Sequence, residues 1–331
     1  MTRHNILVTG GAGFIGCNFI RYIFENTDFA GRIINIDKLT YAGNQNHLSD
    51  IAAKYPQRYF FKHHDICDYQ MVKDVFQKYQ IDTVVHFAAE SHVDRSIYGP
   101  KNFIETNIVG TSILLEIARE IWAERQDVLF HHVSTDEVYG SLGDKGYFYE
   151  TTAYNPRNPY SASKAASDHL VNAYFHTYKL PITLSNCSNN FGPYQFPEKL
   201  IPVVINCIKT GKNIPVYGQG KNVRDWLYVE DHCSAIWAIL QRGKRGETYN
   251  VGGENEWQNI QLVELLCETV AKIEKKNKDA YKNLITFVTD RKGHDLRYAV
   301  NCDKLKSELG WSQQHDFITA IDKTVRWYLQ K

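Results

Sequence analysis

The sequence predicts an α/β fold, a doubly wound parallel sheet followed by a smaller mixed α/β region at the C-terminal end, on three observations. Short β-branched runs alternate with longer helical patterns through the first half. A glycine-rich segment joins the first strand to the first helix. After Leu180-Pro181 the alternation gives way to glycine and proline punctuation. A chain of 331 residues holds one or two interlocked domains and can bury a sizeable core. Its 43% hydrophobic and 23% charged residues exclude disordered and fibrous classes.

In chain order, Ile6-Leu7-Val8, Ile33-Ile34-Asn35-Ile36, Thr83-Val84-Val85-His86-Phe87 and Val128-Leu129-Phe130 read as buried parallel strands. Helices are expected over 14–26, 68–79, 101–123 and 159–178. Ligands of such a sheet sit beyond the carboxyl ends of its strands. Gly192-Pro193, Pro197, Pro202, Pro215 and Gly218 then break the rhythm, before helical segments near 261–275, 303–309 and 316–329. The expected division is 1–185 and 186–331. Trp226–Val229 and Thr248–Val251 read as strands that return to the first part, within 223–254. Lys272 to Lys282 reads as an exposed, charged helix end.

Lys and Arg number 38 against 37 Asp and Glu, so no field gathers nucleic acid or an anionic membrane, and local basic groups must meet any anion. The seven cysteines are odd in number, scattered and without CxxC spacing, which points to reduced thiols and a cytoplasmic protein. The chain enters an apolar strand almost at once, without the pattern of a signal peptide. No run approaches the roughly 20 apolar residues of a membrane span.

The first strand runs into Gly10-Gly11-Ala12-Gly13-Phe14-Ile15-Gly16, where the chain must turn sharply beneath a dinucleotide pyrophosphate. Gly10 permits the turn, Gly13 lets backbone N–H groups approach phosphate, and Gly16 allows close packing of the helix. Asp37 closes the next strand, where a carboxylate accepts the adenine ribose hydroxyls and repels a 2′-phosphate; NAD is therefore expected over NADP. Asp65-Ile66 suits the adenine edge, although Asp65 alone reads equally well as a helix N-cap. Phe87-Ala88-Ala89-Glu90 leaves room for the cofactor after the fourth strand.

Tyr160 and Lys164 lie four residues apart at a helix start, hence on one face. The ammonium is expected to lower the phenol's pKa so that it can take a proton from a hydroxyl as hydride leaves the carbon. With the glycine loop this pair resembles the extended short-chain dehydrogenase/reductase superfamily, whose first domain is of Rossmann type. Ser134 and Thr135 stand where that superfamily keeps a hydroxyl near the substrate. Asp136-Glu137 directly follow. Elimination of water from a hexose needs a base for an acidic carbon proton and an acid for the departing hydroxyl, and two carboxyls in different environments can divide those tasks.

Further blocks carry a resemblance to the nucleotide-sugar 4,6-dehydratases across essentially the whole chain. They are Ala88 to Ser96, Ser134 to Gly140, Tyr160 to Leu170, Asn189 to Tyr194, Phe196 to Pro202, Arg224 to His232 and Asp290 to Tyr298. The family implies that Tyr160 takes the C4 hydroxyl proton while hydride passes to NAD. Glu137 then takes the C5 proton, Asp136 protonates the leaving C6 hydroxyl, and hydride returns to C6. Thr135 would hold the C4 oxygen, with Ser91 nearby. The residues expected at NAD are Gly10, Gly13, Phe14, Ile15, Gly16, Asp37, Lys38, Leu39, Thr40, Asp65, Ile66, Ala88, Ala89, Glu90, Ser91, His92, Thr106 and Asn190, besides Tyr160 and Lys164.

The expected substrate is a nucleotide-diphosphate hexose, with dTDP indicated by block resemblance and not by a derived base contact. Its diphosphate falls to Arg224 and Arg291, whose guanidinium forks match phosphate oxygens. The resemblance also assigns it Asn189, Glu198, Lys199, Leu200, Pro215, Val216, Tyr217, Asn259, Asp290 and His294. A metal is not expected: His63-His64 and His131-His132 are strand neighbours that point to opposite faces, and the chemistry requires none. The resemblance makes the chain a homodimer through the helices 101–123 and 159–178. A 4-epimerase would share the fold, NAD, Tyr160 and Lys164 but lack the acid-base pair. A non-catalytic NAD-binding sensor would have no use for these side chains.

Overall fold

A computed structural model describes residues 3–123, 125–290 and 294–331. Its main sheet has seven parallel strands in the order β3-β2-β1-β4-β5-β6-β10. These are β1 (Asn5–Thr9), β2 (Arg32–Asp37), β3 (Tyr59–His63), β4 (Thr83–His86), β5 (Leu129–Thr135), β6 (Ile182–Cys187) and, later in the chain, β10 (Thr248–Val251). The winding reverses between β1 and β4, which opens a crevice at their carboxyl ends.

Helices α1 (Phe14–Asn26), α2 (Ser49–Lys54), α3 (Tyr69–Tyr79), α4 (Val93–Tyr98), α5 (Lys101–Phe103), α6 (Thr111–Trp122) and α7 (Pro159–Tyr178) connect the first six strands. Alternation along β1 builds both layers: Ile6 and Val8 join Phe19, Ile20 and Ile23 of α1 in one core, while Leu7 joins Val75 and Phe76 of α3 and Leu114 of α6 in the other. Helix α7 starts at a capping box, with Asn158 accepting the Ser161 N–H and Ser161 Oγ accepting the Asn158 N–H.

The single helix expected over 101–123 is interrupted. Residues Ile104–Gly110 between α5 and α6 form a π-helical segment. The buried Asn107 side chain, inside this segment, accepts the Glu90 N–H at 2.9 Å and donates to the Glu90 carbonyl at 3.0 Å. The wider turn lets one amide pin the backbone beside β4.

The rest of the chain adds β7 (Asn189–Phe191), α8 (Leu200–Thr210), β8 (Ile214–Tyr217), β9 (Val223–Tyr228), α9 (Val229–Arg242), β11 (Glu256–Gln258), α10 (Asn259–Glu274), α11 (Lys278–Lys282), β12 (Ile285–Val288), α12 (Asp303–Leu309) and α13 (Phe317–Leu329). Of the two strands expected to return, only β10 joins the main sheet. Strand β9 lies between β11 and β7 in a separate three-stranded sheet, and β8 pairs with β12. The core explains the blurred boundary. Ile6 and Phe19 belong to one continuous apolar cluster with Val204 of α8, Leu262 of α10 and Ile321 of α13, so the C-terminal region shares a core with the sheet layer.

Candidate active site

A cleft of about 320 Å3 opens at the crevice between β1 and β4, within the range of small-molecule sites. The glycine turn forms its floor. Gly10 has φ +71°, and a Cβ there would lie 2.7 Å from the Ala88 backbone. A Cβ on Gly16 would lie 2.4 Å from the Gly10 carbonyl oxygen, so this glycine is needed for the helix to meet its own turn. Gly13 precedes α1 with no side chain capping it, which leaves the N–H groups of the first turn to the cleft. Gly16→Ala should cost roughly 1–3 kcal/mol by overpacking and release the bound dinucleotide; thermal unfolding and cofactor retained after gel filtration report the two effects.

Asp37 lines the same cleft and is tied down: Oδ2 accepts the Ala12 N–H at 2.9 Å and Oδ1 the Leu39 N–H at 2.8 Å. Its remaining lone pairs fit two ribose hydroxyls. Asp65 does not cap α3; Asp68 does, accepting the Met71 N–H at 3.2 Å. Asp65 accepts the Cys67 N–H and pairs with Lys38 at the edge of the cleft. Phe14, Ile15, Thr40, Ile66, Ala88, Ala89, Glu90, Ser91, Thr106 and Asn190 also line it. Leu39 and His92 do not; His92 caps α4. The donor-rich turn, the fixed carboxylate and the small residues after β4 together fit a dinucleotide.

At the far end the cleft reaches Thr135, Asp136, Glu137, Tyr160 and Lys164. Strand β5 ends at Thr135 and turns tightly through Asp136–Tyr139, so the acid pair is held by the sheet edge. Thr135 Oγ1 accepts the Glu137 N–H at 3.3 Å. Ser134 and Thr135 both line the cleft, and the Ser134 hydroxyl is engaged there, donating to Asp168 Oδ2 at 2.8 Å.

The two carboxyls differ in environment. Asp136 is 2% exposed, and its Oδ2 has no hydrogen-bond partner. Burial, with Glu137 and Asp225 nearby, raises its pKa well above the ordinary carboxylate range and favours its acid form. Glu137 is half-buried. Burial raises its pKa too, but Lys199 and Arg224 restrain the rise and favour its charge.

The expected lowering of the Tyr160 pKa is not found. Burial, and then the charge of Glu137, push the phenol well above its ordinary range. Spacing along α7 does put Lys164 on the same face, but its Nζ donates to the Val133 carbonyl at 2.9 Å and lies 3.4 Å from His132 Nε2. The histidine pairs divide as strand alternation requires. His131 meets Thr183 and Ser185, and His132 meets Lys164 and Ser167.

The residues assigned to the sugar nucleotide form two groups. Asn189, Glu198 and Lys199 line the cleft, and Leu200 starts α8 beside them. Pro215, Tyr217, Asp290 and His294 gather at the β8–β12 pair, where His294 Nδ1 lies 2.7 Å from Asp290 Oδ1 and its ring meets Tyr217 edge-on. Asn259 begins α10, and its N–H reaches the Asn222 carbonyl. The Val216 side chain is core, because alternation on β8 turns it inward. Arg224 is not an open fork: it is buried over the Tyr298 ring and donates to the carbonyls of Val223, Asp295 and Leu296. Arg291 lies outside the described residues.

Several lining residues escaped the sequence reading: Tyr41, Gly43, Cys187, Ser188, Gln195 and Phe196. Cys187 pairs in register with Thr135, so knowing that β5 and β6 are neighbours would have found it and Ser188. Tyr41 and Gly43 merely extend the loop after Asp37.

Comparison with known proteins agrees with this geometry. The GDP-mannose 4,6 dehydratase family matches residues 7–324. A dTDP-glucose 4,6-dehydratase of Shigella flexneri is 53% identical, covering 98% of this chain and 92% of that protein. The structure of a Streptomyces venezuelae dTDP-glucose 4,6-dehydratase with NAD bound superposes with a TM-score of 0.91 at 42% identity, covering 98% and 97% of the two chains. One from Bacillus anthracis in complex with NAD gives 0.88 at 43%, covering 99% and 97%. The chain belongs to the GDP-mannose 4,6 dehydratase family of nucleotide-sugar dehydratases, and within it stands with the dTDP-glucose 4,6-dehydratases.

Proposed function

We propose that the chain converts dTDP-glucose into dTDP-4-keto-6-deoxy-glucose and water, with NAD retained through the cycle. The observation that carries the reading is the turn after β5, which delivers a buried Asp136, whose acid form is favoured, and a Glu137 facing the charges of Lys199 and Arg224 to the cleft that also holds Tyr160 and Lys164. Its relatives carry NAD and dTDP in solved structures. Bound NAD supplies a site that takes hydride from sugar C4 and later returns it to C6.

The side chains move the protons. Tyr160 Oη would act as the phenolate, a form that the Lys164 ammonium and the positive nicotinamide ring of bound NAD would favour, and take the proton of the C4 hydroxyl while Thr135 Oγ1 holds that oxygen. Glu137 takes the C5 proton, which the 4-ketone makes acidic, and Asp136 gives its proton to the C6 hydroxyl so that it leaves as water. Glu137 then returns a proton to C5. We place the cofactor mainly in residues 1–185 and the sugar nucleotide mainly in 186–331, with 223–254 shared. Incubation with dTDP-, UDP-, CDP- and GDP-hexoses, scored by mass spectrometry, tests the assignment. Loss of one water from dTDP-glucose is expected; a product of unchanged mass would establish an epimerase instead.

The raised Glu137 pKa sets a pH dependence. A base with a raised pKa is protonated sooner as pH falls, so C5 exchange with solvent should fail at a higher pH than an ordinary glutamate would dictate. Exchange that stayed constant across the acid range would remove Glu137 from this role.

We also propose a cytoplasmic homodimer. All seven cysteines are free, and among the described residues no helix is long and apolar enough to cross a membrane. Ile104, Val109 and Tyr178 expose 51%, 44% and 51% of their surface on the segments expected to form the contact. Ile104→Asp should shift the protein to monomer in sedimentation velocity; an unchanged mass would put the contact elsewhere.

A further inference from the structure

Helix α7 carries three ionisable residues four apart, Tyr160, Lys164 and Asp168, which therefore share one face. The first two serve the chemistry above, but Asp168, 0% exposed, has no part in it. A fully buried carboxyl is costly unless it is paired. Its partners converge from three places: Ser134 Oγ donates to Oδ2 at 2.8 Å, Tyr154 Oη donates to Oδ2 at 3.0 Å, and His132 Nε2 lies 3.2 Å from Oδ1. The same His132 nitrogen is 3.4 Å from Lys164 Nζ. One imidazole atom thus stands between a buried ammonium and a buried carboxyl. Lys164 is itself 4% exposed, and its own short hydrogen bond goes to the neutral Val133 carbonyl at 2.9 Å. An ammonium in such an interior requires an anion close by.

We propose that Asp168 is the buried counter-ion of Lys164, a positioning residue that acts with His132 to keep the lysine charged beside Tyr160. The activity part of this inference rests on the dehydratase reading; the charge state of Lys164 does not.

The other ionisable groups around α7 do not replace it. His132 on β5 and His86 on β4, with rings 5.1 Å apart, are kept neutral by burial. Cys187 on β6 is pushed up to about 12 by burial and stays a thiol. Asp136 and Glu137 face Arg224, and Tyr139 bonds to Asn186 and Asn250. Tyr154 donates to Asp168 itself, and His169 adds to the charges that favour the carboxylate. Glu116 of α6 is taken by Arg119 and by Tyr174 towards the end of α7, and Arg95 of α4 turns to Glu198. Lys101 of α5 and Glu105 within the π segment are exposed. Among these groups Asp168 is the carboxyl that lies against the same His132 nitrogen as Lys164, with Oδ1 3.2 Å from it.

The sign of the effect follows. Removing the anion makes the ammonium harder to keep, so Lys164 should lose its proton at lower pH. Burial pushes the Asp168 carboxyl up to about 6 against the pull of Lys164, so the counter-ion is lost as pH falls through that value.

The experiment is ζ-15N-lysine NMR of the NAD-loaded protein, with the Lys164 signal assigned by its loss in Lys164→Met, beside pH profiles of turnover. In Asp168→Asn the Nζ signal should titrate about one unit or more lower. Its kcat should fall about 10-fold or more with KM within about twofold, and the alkaline limb should move to lower pH. Tyr154→Phe keeps the carboxylate but removes one donor, so it should move only the acid limb, to higher pH. An unshifted Nζ titration in Asp168→Asn overturns the proposal; should that variant fail to fold, an unmoved acid limb in Tyr154→Phe does so. A shifted Nζ titration in Asp168→Asn, beside a wild-type protein that shows no dehydratase activity, would sink the functional reading and leave the counter-ion standing.

Discussion

Tyr160→Phe should lose about 10^3-fold or more in turnover, within the range of general acid–base contributions, and should fail at the first step. Without a phenolate oxygen to take the C4 proton, hydride cannot leave the carbon, so mixing with dTDP-glucose should give no reduced-nicotinamide absorbance. NAD and substrate binding should survive, because the ring remains and only one oxygen is removed. The size of the loss follows from the burial of the phenol: few waters reach Tyr160 to act in its place. Normal formation of reduced nicotinamide in this variant would take the base assignment away from Tyr160.

Glu137→Gln should separate the two halves of the reaction. Oxidation at C4 does not need this carboxylate, so enzyme-bound reduced nicotinamide should still form. Removal of the C5 proton does need it, so deuterium exchange at C5 should vanish and overall turnover should fall by about 10^2- to 10^4-fold. The reduced cofactor would then accumulate instead of returning its hydride. Normal C5 exchange would mean that another group is the base. The pair of variants also distinguishes dehydration from epimerisation, since only a dehydratase needs the second proton transfer.

How much of this was legible before the fold was known depended on range. The βαβ rhythm, the glycine turn and the Tyr160–Lys164 spacing are local patterns, set by the strand and helix periods, and they locate the sheet, the cofactor turn and the helix face that meets the cleft. Helix α7, expected over 159–178, runs over Pro159–Tyr178, and its capping residue and first-turn proline are local features of the chain. The interruption at Ile104–Gly110 was not legible. It depends on Asn107 reaching the backbone of Glu90, 17 residues away. Val216 was assigned to the ligand by resemblance, and the strand's alternation turns its side chain into the core.

The sequence by itself determined the fold class, the turn that fits a dinucleotide, and the presence of two carboxyls directly after a buried strand; with the family's blocks it indicated dehydration. Only the tertiary structure decided how those groups are charged. Burial and neighbouring ions set the protonation of Asp136, Glu137, Tyr160 and Asp168, and these neighbours come from distant segments: Arg224 and Asp225 on β9, Lys199 before α8, Ser134 on β5 and Tyr154 in the loop before α7. Dielectric surroundings and distances between remote residues are properties of packing, and no local pattern in the chain encodes them.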